Sequence, residues 1–83
     1  MDAQTDRSPL HVSHTDHDDG WTLAVDLESL QVSDNYVTVE VIGTEAIIAV
    51  DAPHLQTEFD IDLPSAGAIP TLRNGVLTLE HRN

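Results

Sequence analysis

The residues with the greatest potential for chemistry lie in one short segment near the N-terminus, HVSHTDHDDG. It spaces three histidines three residues apart and surrounds them with aspartates. Imidazole and carboxylate groups are ordinary ligands of zinc, nickel and copper. Such spacing would suit one face of a helix, but no neighbouring pattern indicates a helix there. We therefore expect no resident metal or other cofactor. If this segment did bind a metal, the candidate ligands would be His11, His14 and His17.

The alternative interpretation of this segment is a solvated, acidic leader. Aspartate is abundant throughout the chain, so its presence here carries little information. An EF-hand calcium loop would need a glycine at its sixth position and a closing glutamate, and the segment lacks that pattern.

Patterns typical of enzymes are missing from the rest of the sequence. The five serines include none in a G-x-S-x-G elbow, and the four glycines are isolated turn residues that form no phosphate-binding loop. Carboxylates are too numerous for any pair of them to be informative. We therefore expect a protein that is not an enzyme.

Charge is the strongest compositional signal. Fifteen acidic residues face three arginines and no lysine, giving a net charge of −12. This charge repels nucleic-acid phosphates and anionic lipid, so neither is an expected partner. An excess of aspartate with lysine avoidance resembles the proteins of salt-accumulating archaea, in which molar salt screens the carboxylates from one another. The sequence predicts a halophilic protein.

The chain has no segment that predicts export or membrane insertion. Its N-terminus, MDAQTDRSPL, has no apolar stretch of the signal-peptide kind, and its longest apolar run is residues 46–50. Cysteine is absent, which excludes disulfides and thiolate metal sites. We expect a cytoplasmic protein.

Alternation of apolar and polar residues is the main pattern after residue 19, and it predicts strands. The predicted strands are residues 21–27, 36–42, 46–52, 55–63, 69–72 and 76–81, with at most one weak edge strand at 10–12 in the leader. Tight turns at this density indicate an all-β, antiparallel β-sandwich of six to seven strands, in two sheets of about three. We predict a flexible leader at 1–19 and one domain at 20–83.

The inward-facing residues of these strands should form the core of the sandwich. The predicted core is Trp21, Leu23, Val25, Val37, Val39, Val41, Ile48, Val50, Phe59, Ile61, Leu77 and Leu79. One Trp and one Phe must fill much of this core, because the chain has only one of each. Phe59→Ala should therefore cost about 3–5 kcal/mol.

The order of three motifs points to a family. WTLAVDL opens the domain, FDIDLP follows the hairpin, and NGVLTLE closes the domain after a small-residue loop. This order resembles the α-crystallin domain of the small heat-shock proteins, an Hsp20-like, immunoglobulin-like sandwich, over about residues 19 to 81. The chain is also similar to short acidic proteins of that type from haloarchaea. The resemblance implies ATP-independent binding of aggregation-prone chains.

Several assembly parts of that family have no counterpart here. Residues 52–56 are too few for the long loop and extra strand that partners exchange, and only His81, Arg82 and Asn83 stand at the end of the last strand, where the family has an I-x-I/V tail. The leader is polar, whereas the family's client-binding arm is rich in aromatic residues. We therefore expect a monomer or small dimer.

The resemblance also implies a hydrophobic groove between the fourth and eighth strands of the family, which correspond to 36–42 and 69–72 here. We expect Tyr36, Ile42, Ile69 and Leu72 to line this groove. An exposed strand edge in it could add a strand from a partner. The alternative is that these four residues are ordinary sandwich packing.

The favoured function is therefore a chaperone-like, protein-binding module whose partner is a protein or an unfolded client. The alternative is an adaptor that binds one partner, such as a CS-domain-like co-chaperone or a gas-vesicle accessory factor. A third hypothesis is metal binding by the histidine-containing leader.

Overall fold

The computed structural model describes residues 10–83, and in it segments of alternating apolar and polar residues form strands. Four of the connections between strands are two-residue turns, and the other two are the loops 27–36 and 63–68. The strands are β1 His11–His17, β2 Gly20–Asp26, β3 Val37–Ile42, β4 Glu45–Ala52, β5 Leu55–Asp62, β6 Ile69–Arg73 and β7 Val76–Arg82. Single 3-10 turns at Glu28–Leu30 and Asp34–Tyr36 lie between β2 and β3. No helix within residues 10–83 is long and apolar enough to cross a membrane.

The seven strands form two antiparallel sheets. The first has the order β1-β2-β7-β6 and the second the order β3-β4-β5. This confirms the predicted all-β, antiparallel sandwich of six to seven strands, although one sheet has four strands instead of about three. Each sheet has two edges, and the edge strands β3 and β6 of the two sheets approach each other.

The core lies between the sheets, where the inward-facing residues of the central strands β2, β4 and β7 are buried. The buried apolar residues are Leu10, Trp21, Leu23, Val25, Leu27, Ala46, Ile48, Val50, Ala52, Leu63, Leu77 and Leu79. Seven of the predicted core residues are among them. The other five, on β3 and β5, are half-buried and pack against this core, because edge strands have a neighbour on one side only: Val37, Val39, Val41, Phe59 and Ile61.

The predicted leader is an ordered edge strand in its described part. β1 pairs with β2 along its whole length, from His11 opposite Asp26 to His17 opposite Gly20. The structure therefore differs from the predicted boundary at residue 20: the first sheet begins at residue 11, and Leu10 is part of the core. Residues 1–9 of the predicted leader lie outside the described residues.

Candidate interaction edges

The edge strands β3 and β6, which approach each other, both carry inward-facing apolar side chains. Val37, Val39 and Val41 alternate with exposed residues along β3 and are half-buried against the core. Leu72 is the half-buried residue of β6 and packs against the same core. We call these four residues the seam. Each contributes apolar surface that the sandwich covers only in part.

The carboxylate of Asp34 fixes one end of the seam. It accepts hydrogen bonds of 3.0 Å from the backbone N–H groups of both Asn74 and Gly75, in the turn that follows β6. Asp34 lies just before β3, so this contact brings the beginning of β3 to the end of β6. The turn itself is a left-handed Asn-Gly pair, with φ of 52° and 80°, a conformation that these two residue types favour.

The structure does not bring the four predicted groove residues together in one wall. Tyr36, Ile42 and Ile69 are exposed, by 42%, 55% and 69%. Successive strand residues point to opposite faces, so Ile69 and Leu72, three apart on β6, lie on opposite sides of their sheet. Ile42 and Ile69 lie on the outer faces of different sheets. Only Leu72 belongs to the seam.

The seam valines were identified in the sequence as core residues and not as groove residues. The alternation of apolar and polar residues predicts correctly that they face inward. Their partial exposure arises because β3 is an edge strand, and the order of strands in a sheet cannot be predicted from that alternation.

The three candidate metal ligands are also kept apart. His14 is three residues, an odd number, from both His11 and His17, so it lies on the opposite face of β1 from them. The Nε2 atom of His14 lies 2.8 Å from a carboxylate oxygen of Asp16, and Nε2 of His17 lies 2.9 Å from the hydroxyl of Thr22. Among residues 10–83, no group of three or more potential ligands is arranged to hold a metal ion. The three-residue spacing would suit one face of a helix, and the segment is a strand.

One polar cluster holds the loop after β5 against the first sheet. The indole N–H of Trp21 donates to the hydroxyl of Ser65 at 2.9 Å, and the ring of His81 stacks on the indole with centroids 6.0 Å apart. The two nitrogens of the His81 ring contact the backbone oxygen of Gly67 and the side-chain oxygen of Asn83. The indole and the Ser65 hydroxyl are paired with each other and the imidazole has an oxygen neighbour at each nitrogen, so the cluster has a structural explanation.

Charge is distributed unequally between the two outer faces. Residues 37–62, which form the second sheet, contain no lysine or arginine. Its outward-facing carboxylates are Glu40, Glu45, Asp51, Glu58, Asp60 and Asp62. The outer face of the first sheet carries several threonines and two arginines instead, and has an open depression of about 390 Å³ lined by Thr71, Arg73, Val76 and Thr78. The acidic surface is thus concentrated on one side of the sandwich.

Comparison with known proteins gives one match. A family model described as a family of unknown function matches residues 1–81. None of the curated proteins or solved structures compared with the chain matches it.

Proposed function

The chain belongs to the family of unknown function DUF7127, and we propose that it is a non-catalytic, protein-binding module. The observation that carries this proposal is the seam: two neighbouring strand edges, β3 and β6, whose inward apolar side chains are only half-buried. An extended apolar segment of a partner protein is the ligand that fits such a surface. Strand edges offer main-chain hydrogen bonds, and the pockets between side chains select every second residue of the added segment.

The resemblance to the α-crystallin domain supports this proposal. It implies that segments 36–42 and 69–72 flank one groove, and these segments contain the edge strands that lie side by side in the structure. Chaperone-like binding of unfolded clients follows from the same resemblance.

A non-catalytic role fits the polar groups of the described chain. Within residues 10–83 the buried residues are all apolar. The surface carboxylates and histidines therefore lie in water or in hydrogen bonds to neighbours. A protein working in concentrated salt, in a cytoplasm, fits the charge of −12. The same charge makes nucleic acid and anionic membranes poor partners.

One observation favours the narrower adaptor function over general chaperone activity. β4 ends at Ala52 and β5 begins at Leu55, so only Pro53 and His54 connect the two strands. This turn cannot hold the loop and exchanged strand with which the related assemblies are built. A domain without that device is suited to binding a single partner.

Two assays in molar KCl test the proposal. Binding of fluorescent peptides with alternating apolar residues should be measured first, with the variant V39T/V41T, which removes apolar character from the seam at nearly constant volume. We expect this variant to lose affinity, whereas the control Ile42→Thr, outside the seam on the same strand, should bind normally. Equal affinity for all three proteins would contradict the proposal.

The second assay separates the two forms of the function. Suppression of the aggregation of a heat-labile client at substoichiometric protein would indicate a general chaperone. Peptide binding through the seam without any such protection would indicate an adaptor.

A further inference from the structure

β1 is an edge strand whose outer side is open. All seven of its residues are exposed, although its other side pairs with β2 from end to end. In the part of the chain that the structure describes, no strand lies on the far side of β1. Its outward backbone N–H and C=O groups therefore form a template for another strand.

The other three edges are less suited to pairing between two copies of this chain. β6 has only five residues and contains Pro70, which lacks an N–H donor. β3 borders the seam, which is the surface proposed above for a segment of a different protein. β5 presents three carboxylates on one face, from Glu58, Asp60 and Asp62, and pairing this edge with itself would bring like charges together. β1 contains a single carboxylate, that of Asp16, and no proline, lysine or arginine.

We propose that β1 is the edge through which two copies of this protein form a symmetric dimer. In a chain of net charge −12, self-association requires a surface with few carboxylates, and β1 is such a surface. Antiparallel pairing of two β1 strands would join the two four-stranded sheets into one continuous sheet of eight strands.

The register of this pairing follows from the strand itself. A two-fold axis perpendicular to the sheet keeps inward-facing residues opposite inward-facing residues, and an axis at His14 pairs all seven residues of β1. His14 then opposes its counterpart in the second copy, and His11 opposes His17 of that copy. The carboxylate of Asp16, 2.8 Å from His14 within each chain, lies beside the central pair of imidazoles. Each half of the interface thus contains both an imidazole and a carboxylate.

Cysteine cross-linking tests the register directly, because the protein has no cysteine of its own. In an antiparallel pair, directly opposed Cα atoms are about 4.5–5.5 Å apart, within the range of a disulfide. We expect His14→Cys to form a covalent dimer on mild oxidation. Ser13→Cys is the matched control: its two thiols would be offset by two residues, with Cα atoms about 8 Å apart, too far for a disulfide. Equal cross-linking at both positions, or none at position 14, would overturn the proposed register.

Sedimentation equilibrium tests the dimer without cross-linking, at the lowest KCl concentration at which the protein is folded, because molar salt would screen an introduced charge. The parent protein should show a reversible monomer–dimer equilibrium, and His14→Lys should shift it to monomer because two ammonium groups would meet at the axis. Glu58→Lys on β5 should leave the dimer intact. Trp21 fluorescence verifies that each variant is folded, because the indole is buried in the core between the two sheets. A parent protein that remains monomeric at millimolar concentration, or a dimer that survives His14→Lys, would refute the proposal.

Discussion

The carboxylate of Asp34 accepts a 3.0 Å hydrogen bond from the backbone N–H of Gly75, which lies 41 residues further along the chain. A second bond from the N–H of Asn74 goes to the other carboxylate oxygen. One surface aspartate thus connects the segment before β3, in the second sheet, to the turn between β6 and β7, in the first. The contact also holds one end of the seam in place.

Removing this carboxylate should therefore destabilise the sandwich. Asp34→Ala leaves two backbone donors without their charged acceptor, and we expect a loss of about 1–3 kcal/mol in the free energy of unfolding. Asp34→Asn keeps one good acceptor and should lose less. Urea denaturation in molar KCl measures both values. Asp60→Asn is the matched control, because Asp60 faces solvent on β5; a loss as large as that of Asp34→Asn would contradict the assigned role.

The glycine at the start of β2 should be essential for the pairing of β2 with β7. A Cβ added at Gly20 would overlap the backbone carbonyl oxygen of His81, and backbone cannot move aside as a side chain can. We expect Gly20→Ala to cost about 3 kcal/mol, at the upper end of the usual cost of overpacking. A Cβ at Gly43 would meet no described heavy atom within 4 Å, so Gly43→Ala should cost only the left-handed strain, about 1–2 kcal/mol. Thermal unfolding of the two variants compares them, and the reverse order would contradict this geometry.

Most of the strands could be predicted from the sequence because burial of one sheet face leaves a period-two pattern. β2 and β4 show it best, since all their inward residues are apolar, and β7 shows it through Leu77 and Leu79. β1 shows no such pattern, because the second sheet does not cover it and both of its faces are exposed. Pairing with β2, across the two-residue turn at 18–19, is what makes it a strand.

The sequence resemblance predicts a groove between segments 36–42 and 69–72, and that groove stays a prediction. The structure shows that the strands of these segments, β3 and β6, approach each other. Which side chains face the interior depends on the parity of each residue along its strand. Ile42 and Ile69 are apolar, but strand parity turns both of them outward.

The core should depend more on Leu79 than on Phe59. The sequence predicted a cost of about 3–5 kcal/mol for Phe59→Ala, on the assumption of full burial. The ring is only half-buried on the edge strand β5, so part of its apolar surface is already in water. Leu79 is fully buried on the central strand β7. We expect Leu79→Ala to cost about 2–5 kcal/mol and to exceed Phe59→Ala in urea denaturation.

The acidic face of the second sheet should make stability depend on salt. Glu45 and Asp62 are directly opposed on the outer face of β4 and β5, and like charges in such pairs are destabilising. Asp62→Asn removes this repulsion, so we expect it to raise stability by about 0.2–1 kcal/mol in dilute buffer. In molar KCl the Debye length is about 3 Å, and the difference should disappear.

Thermal unfolding at both salt concentrations measures this effect. Asp51→Asn removes the same charge from a residue that opposes Gln56, and it should gain less in dilute buffer than Asp62→Asn. The parent protein should unfold at a higher temperature in molar KCl than in dilute buffer, because screening weakens the repulsion among the outward carboxylates. Equal melting temperatures at the two salt concentrations would show that the charge of −12 is not an adaptation to salt.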